Sequence, residues 1–218
     1  MGKKKACIIT GGTLSSSFLS NHLKEHDYSF VIVVDGALEL THCLHIIPDY
    51  IVGDFDTVSE EVLNFYEEDT ILRHPPEKDQ TDTELAVETA LSLECEEIDF
   101  LGATGTRLDH SLANIFLLQR LLKQNVHGVI WNEYNKLYLK KSSFCLNKKE
   151  AKGMFFSLLP LTETVEQVTL IGVKYPVNHK NFYREDTLGI SNEIVEEEAI
   201  IEFSNGIFIV VESQDNEG

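Results

Sequence analysis

The segment EIDFLGATGTRLDHSLANIFLLQRLLKQNVHGVIW, residues 97–131, decides the fold. It opens on a short apolar run (97–103) and breaks at Gly102 and Gly105. It continues as a strongly apolar helical pattern over 111–124 and closes on a second short run at 127–131. Strand, long helix and strand in that order make a crossover unit, which pairs its strands in parallel. The same alternation reaches back toward the N-terminus. Strands are expected at 6–10 (ACIIT), 30–35 (FVIVVD), 49–54 (DYIVGD) and 70–75 (TILRHP). A short amphipathic helix is expected at 60–68 and a longer one at 82–93. In the longer helix Leu85, Thr89 and Ser92 trace one side, and Ala86, Ala90, Leu91 and Leu93 supply the core side. Residues 1–133 therefore read as an α/β domain whose mostly parallel sheet is covered on both faces.

From about residue 134 the pattern changes to short β-rich runs: NKLYLK, GMFFSLL, EQVTLIGV, AIIEFS and GIFIVVES. Asn, Gly, Pro and charged clusters separate them, with no convincing helix between. This spacing predicts a second domain, 134–218, built as an antiparallel sandwich or barrel. The acidic end ESQDNEG is expected to fray.

The 218 residues carry 18 basic and 36 acidic side chains, a formal charge of −18. That balance argues against nucleic acid or an anionic membrane surface as partner, because both reward basic patches. The four cysteines, Cys7, Cys43, Cys95 and Cys145, form no CxxC pair, which disfavours zinc and a disulfide framework and fits a reducing compartment. Only four apolar residues (Ala6 to Ile9) precede the Gly11-Gly12 break, so no secretion signal or membrane span is expected there. Gly2 is followed by Ala6, not Ser or Thr, so the myristoylation pattern fails. A cytoplasmic protein is the expectation.

Chemistry concentrates where expected strands end. In parallel sheets ligands sit beyond the carboxyl ends of strands. Asp35-Gly36 ends the second strand, and GDFDT (53–57) ends the third. In extended backbone Asp54 and Asp56 point the same way, ~7 Å apart at about 3.3 Å of rise per residue. Two like charges so close call for something positive between them. KDQTDTE (78–84) adds Asp79 and Asp82 before a helix. Local roles compete: Thr81 and Glu84 fit a capping box, and Asp109 can cap the helix at 111–124. Acids converging on one edge without His or Cys at ligand spacing favour Mg²⁺, a hard ion held by carboxylates and substrate phosphates. GATGTRLDHSLAN (102–114) adds turn glycines, a helix start able to face phosphate, and the forked donor Arg107. His110 and Asn114 share one helix face. A single His there is more often structural. No GxxxxGK[ST] segment is present, and TGGT (10–13) is a weak phosphate-loop signal.

The ordered set PDYIVGDFDT, KDQTDTELA, GATGTRLDHSLAN, SLLP, GVKYPV and LGISNE resembles thiamine pyrophosphokinases of the bacterial type, over nearly the whole chain. The resemblance implies an N-terminal α/β domain, a C-terminal antiparallel β-sandwich, and a homodimer with active sites between subunits. It implies that ATP and thiamine give thiamine diphosphate and AMP with Mg²⁺. Carried over, Asp54, Asp56 and Asp82 look like the metal and phosphate-site acids. Asp54, Asp82 and Asp109 look like the catalytic carboxylates, with Asp82 the first candidate for the base. Asp35, Gln80, Thr81, Thr104, Arg107 and Asn114 look like the nucleotide side. Ser191 and Asn192 look like thiamine contacts. Gly36-Ala37 and Gly105-Thr106-Arg107 depart from the family's usual Gly-Gly and Gly-Gly-Arg. The alternatives are a Mg²⁺-dependent phosphatase or kinase for another small metabolite, and a non-catalytic sensor of nucleotide or thiamine phosphate on the same scaffold.

Overall fold

The computed structural model describes residues 2–56, 58–73 and 79–215. Thr57 of GDFDT, His74 and Pro75 of the expected fourth strand, Lys78, and the last three residues of the acidic end lie outside them. The chain divides into two compact units, 1–133 and 134–218.

Among the described residues the first unit holds six strands: β1 (Lys5–Ile9), β2 (Phe30–Val34), β3 (Tyr50–Gly53), β4 (Ile71–Arg73), β5 (Glu97–Leu101) and β6 (His127–Trp131). They lie in the order β6-β5-β1-β2-β3-β4, every pair parallel. Ala6 to Ile9 and Ile98 to Leu101 are buried without interruption, as strands covered on both faces must be. The helices are α1 (Ser16–Glu25), α2 (Leu38–Cys43), α3 (Glu60–Leu63), α4 (Asp82–Ser92) and α5 (Leu108–Lys123). Leu19, Val33, Leu38, Ile51 and Leu101 meet in one cluster of that core. Gly128 lets α5 approach β6, since a β-carbon there would fall 2.7 Å from Leu118 and Leu121.

Several local expectations change. α3 is one turn, not nine residues: Val62 is buried while Phe65 is 65 % exposed, so no apolar face holds a longer helix. α4 buries Leu85 and Val87 with Ala86 and Ala90, whereas Leu91 and Leu93 are half-buried. α5 starts three residues early, so Asp109 lies inside its first turn and Arg107 takes the N-cap position.

The second unit contains β7 (Asn135–Lys140), β8 (Phe144–Asn147), β9 (Phe155–Pro160), β10 (Thr164–Ile171), β11 (Val177–Tyr183), β12 (Asn192–Glu193), β13 (Glu198–Glu202) and β14 (Phe208–Ser213). They form the orders β12-β9-β14-β7 and β11-β10-β13-β8, all antiparallel. Phe182 of β11 meets Phe208 of β14 at 5.7 Å, joining the two sheets as a sandwich. β8 and β11 escaped the sequence reading because they are edges: β11 buries only Phe182 and shows no apolar alternation. The acidic end does not fray from its start. Glu212 and Ser213 belong to β14, and buried Glu212 accepts from Tyr138 Oη at 2.9 Å and Lys152 N at 2.7 Å.

Candidate active site

β1 and β5 are neighbours reached by opposite directions of travel across the sheet, the switch point beyond whose strand ends a ligand crevice is expected. The two loops are pinned together. Thr10 N donates to Leu101 O at 2.9 Å, Gly12 N to Gly102 O at 2.9 Å, and Thr13 N to Thr104 O at 2.8 Å. Only glycine tolerates this approach: a β-carbon at Gly12 would fall 2.1 Å from Gly102 O, and one at Gly102 (φ +70°) 2.3 Å from Thr10 O. The cleft above them measures about 620 Å³. Thr10 to Thr13, Asp54, Gln80 to Thr83, Gly102 to Arg107, His110, Ser111 and Asn114 line it.

Three carboxylates gather beside it. Asp35 opens a 3-10 turn directly after β2 and is buried. Gly53 makes room for it, since a β-carbon at 53 would fall 2.5 Å from Asp35 Cβ. Asp54 is half-buried and Asp56 exposed. The backbone between them is not extended. Phe55 is left-handed (φ +62°), and Asp56 N turns back to Asp54 Oδ1 at 3.4 Å. The acids are thereby tighter than a strand allows: Asp35, Asp54 and Asp56 each bring an oxygen within 4.8 Å of the others. An all-oxygen donor set of this size fits a hard divalent cation. Asp82, first residue of α4, lines the cleft but does not belong to this trio.

The remaining expected residues divide by function. Thr81 Oγ1 accepts from Glu84 N at 3.2 Å and caps α4 while facing the cleft. Glu84 does not close the box, because Arg120 and Gln80 engage its carboxylate. Asn114 is buried and donates to Ala103 O at 2.8 Å, which holds the loop. Thr104 Oγ1 accepts from Asn132 at 3.2 Å. Arg107 is exposed and grips Asp109 through Nη2–Oδ2 at 2.6 Å and Nε–Oδ1 at 3.3 Å. Those hydrogen bonds from Arg107 hold the Asp109 carboxyl at about 2. Asp109 thus serves Arg107 first, with the backbone N–H of His110 as a lesser partner. His110 is exposed at the rim. Ser111 was missed: its Oγ accepts from Gly105 N at 3.2 Å and donates to Arg107 O at 3.0 Å, tying loop to helix. A serine in the first turn after a Gly-rich loop was the available signal.

Ser191 and Asn192 lie in the second unit. Ser191 is exposed and left-handed (φ +53°), with its N–H on Ser157 Oγ at 3.0 Å. Asn192 is buried; its oxygen accepts from Tyr175 N (3.1 Å) and Glu193 N (2.9 Å), and its amide donates to Tyr175 O (3.1 Å).

Comparison with known proteins covers both units. Residues 21–130 match the family model described as thiamin pyrophosphokinase, catalytic domain, and residues 142–208 match its vitamin B1 binding domain. The chain is 35 % identical to the thiamine pyrophosphokinase of Bacillus subtilis over 172 residues, 78 % of this chain and 80 % of that one. The crystal structure of that enzyme superposes with a TM-score of 0.85 at 30 % identity, covering 97 % of this chain and all of the other. Thiamin pyrophosphokinase from Geobacillus thermodenitrificans gives 0.82 at 29 % identity over 98 % and 99 %. With both halves matched in order, the chain belongs to the thiamine pyrophosphokinase family.

Proposed function

We propose that this chain transfers a diphosphoryl group from ATP to the hydroxyl of thiamine, releasing thiamine diphosphate and AMP. The observation that carries it is the acid trio beside a glycine-walled cleft at the sheet's switch point. The match to both family domains favours this over a phosphatase, another kinase or a sensor. Asp35, Asp54 and Asp56 would hold Mg²⁺, which when bound neutralises phosphate oxygens. The pinned glycine loops give the phosphates close access to backbone. Arg107, exposed at the rim, offers its fork to phosphate by exchanging Asp109 for it. Asp82 lines the cleft and takes the proton as the hydroxyl oxygen bonds to the β-phosphorus and the bond to the AMP oxygen breaks.

On this reading residues 1–133 carry the nucleotide and 134–218 carry thiamine contacts and a homodimer interface. Ser191 is the accessible contact, and Asn192 shapes the Tyr175 turn beside it. Four free cysteines suit a cytoplasmic setting. Among the described residues no helix is long and apolar enough to cross a membrane.

With ATP and thiamine, AMP and thiamine diphosphate should appear one to one, and a chelator of divalent cations should stop both. ADP or free phosphate as the co-product sinks the assignment. Shared sites predict complementation. Asp54→Asn and Ser191→Arg proteins, each inactive, should recover about a quarter of wild-type activity when subunits exchange, since half the dimers are mixed and each rebuilds one site of two. No recovery despite exchange, followed by native mass spectrometry, assigns each site to a single chain.

A further inference from the structure

Gln80 stands in the cleft wall immediately before the cap of α4, and its side chain is held from behind. Its Nε2 donates to Glu88 Oε1 at 2.8 Å and to Glu84 Oε1 at 3.3 Å. Both acceptors lie on α4 one turn apart, where their charges repel. Arg120 of α5 resolves that repulsion with its fork: Nη1 reaches Glu84 Oε1 at 2.8 Å and Nη2 reaches Glu88 Oε1 at 2.9 Å. The four side chains make one lattice running from α5 across α4 to Gln80 in the cleft wall.

The lattice decides which end of the amide is which. A primary amide has two N–H donors and one carbonyl acceptor. Turned over, its oxygen would face two carboxylates and both donors would lose their partners. With the donors committed to Glu88 and Glu84, Oε1 is the polar atom that Gln80 keeps for a ligand. Such an atom accepts hydrogen bonds and repels phosphate and carbonyl oxygens.

We infer that Gln80 is a specificity determinant locked as an acceptor for a primary aromatic amino group, and that Arg120 is the positioning residue that locks it. The inference rests on the ATP–thiamine reading, under which two bound molecules carry such a group, the adenine ring and the aminopyrimidine ring. A site built to pair with an N–H rejects an analogue that presents oxygen there far more strongly than a merely hydrophobic pocket does.

The test measures kcat/KM for two substitutions of amino by oxo: inosine triphosphate for ATP, and the 4-oxo analogue for thiamine. In the wild type one pair should differ by about a hundredfold or more. Arg120→Met should shrink that same ratio by about tenfold, with thermal midpoint nearly unchanged because Arg120 and its partners are partly exposed. The arm that changes identifies which ring Gln80 faces. Glu88→Ala, which removes the 2.8 Å acceptor, should relax the same ratio and stands in if Arg120→Met fails to fold. Ratios that hold in active, folded variants, or a wild type that discriminates in neither arm, overturn the assignment of Gln80 and Arg120. A wild type that makes no AMP from ATP and thiamine overturns the catalytic reading itself.

Discussion

Asp54→Asn is expected to lower turnover about 10³-fold at saturating ATP, thiamine and Mg²⁺, while the metal-free protein melts no lower than wild type. Asp54 is the member of the acid trio that also lines the cleft, so on the proposed reading its charge would serve both the cation and the phosphates. Removing one negative donor weakens an oxygen-ligand site and the charge stabilisation it supports. Asparagine keeps the side-chain oxygen that receives Asp56 N, so the left-handed turn at Phe55 survives. Three carboxylates within 4.8 Å repel one another when nothing lies between them, and neutralising one relieves that strain. Loss of function with equal or higher stability in chelator separates a metal role from a folding role. Turnover near the wild-type value would refute the role of the trio.

Asp99→Ala should cost about 3–5 kcal/mol of stability, the usual penalty for stripping one partner from a buried charge network, and lower the melting point by roughly 10 °C. Asp99 sits in the middle of β5 with 2 % of its surface exposed. Lys5 Nζ lies 2.8 Å from it and Tyr28 Oη donates to it at 2.7 Å. Tyr28 in turn shares a 2.7 Å hydrogen bond with His22 Nε2. Burial alone would raise the Asp99 carboxyl, but the nearby His22 ring, with Nε2 at 3.8 Å, hydrogen bonds from Lys5 and Tyr28 and the Lys5 charge outweigh it and hold it at about 2. The same surroundings push Tyr28 and the buried Cys7 thiol upward, burial first and nearby negative charge second. A carboxyl depressed from 3.8 to about 2 gives stability that is complete above pH 4 and is lost as pH falls toward 2. Thermal melts between pH 2 and 7 test this. Asp99→Asn should lack the acid-side loss, and a variant that melts like wild type at pH 7 would remove the network from the account of stability.

The two residues differ in how visible they are in the chain. Asp54 was evident from GDFDT after an apolar run, and its neighbourhood was expected to collect charge. Asp99 sits in EIDFL, where nothing local distinguishes it from a solvated strand residue; only the parallel register Cys7↔Asp99 sets it beside Lys5 and Tyr28. Asp109 shows the opposite error. A helix cap was a sound local reading, but α5 begins at Leu108 and Arg107 takes the carboxylate.

Residue order alone was enough for the βαβ alternation, the change to β-rich runs near 133, the cap at Thr81 and the glycine loops after β1 and β5, because each depends on periodicity or steric freedom within a few neighbours. The acid trio was beyond that reach. Val34 pairs with Val52 in the β2–β3 register, which sets Asp35 against Gly53 across 18 residues of chain, and a left-handed Phe55 folds Asp56 back toward both. Distances between side chains on different strands follow from register and backbone handedness, and those come from the packing of the assembled sheet.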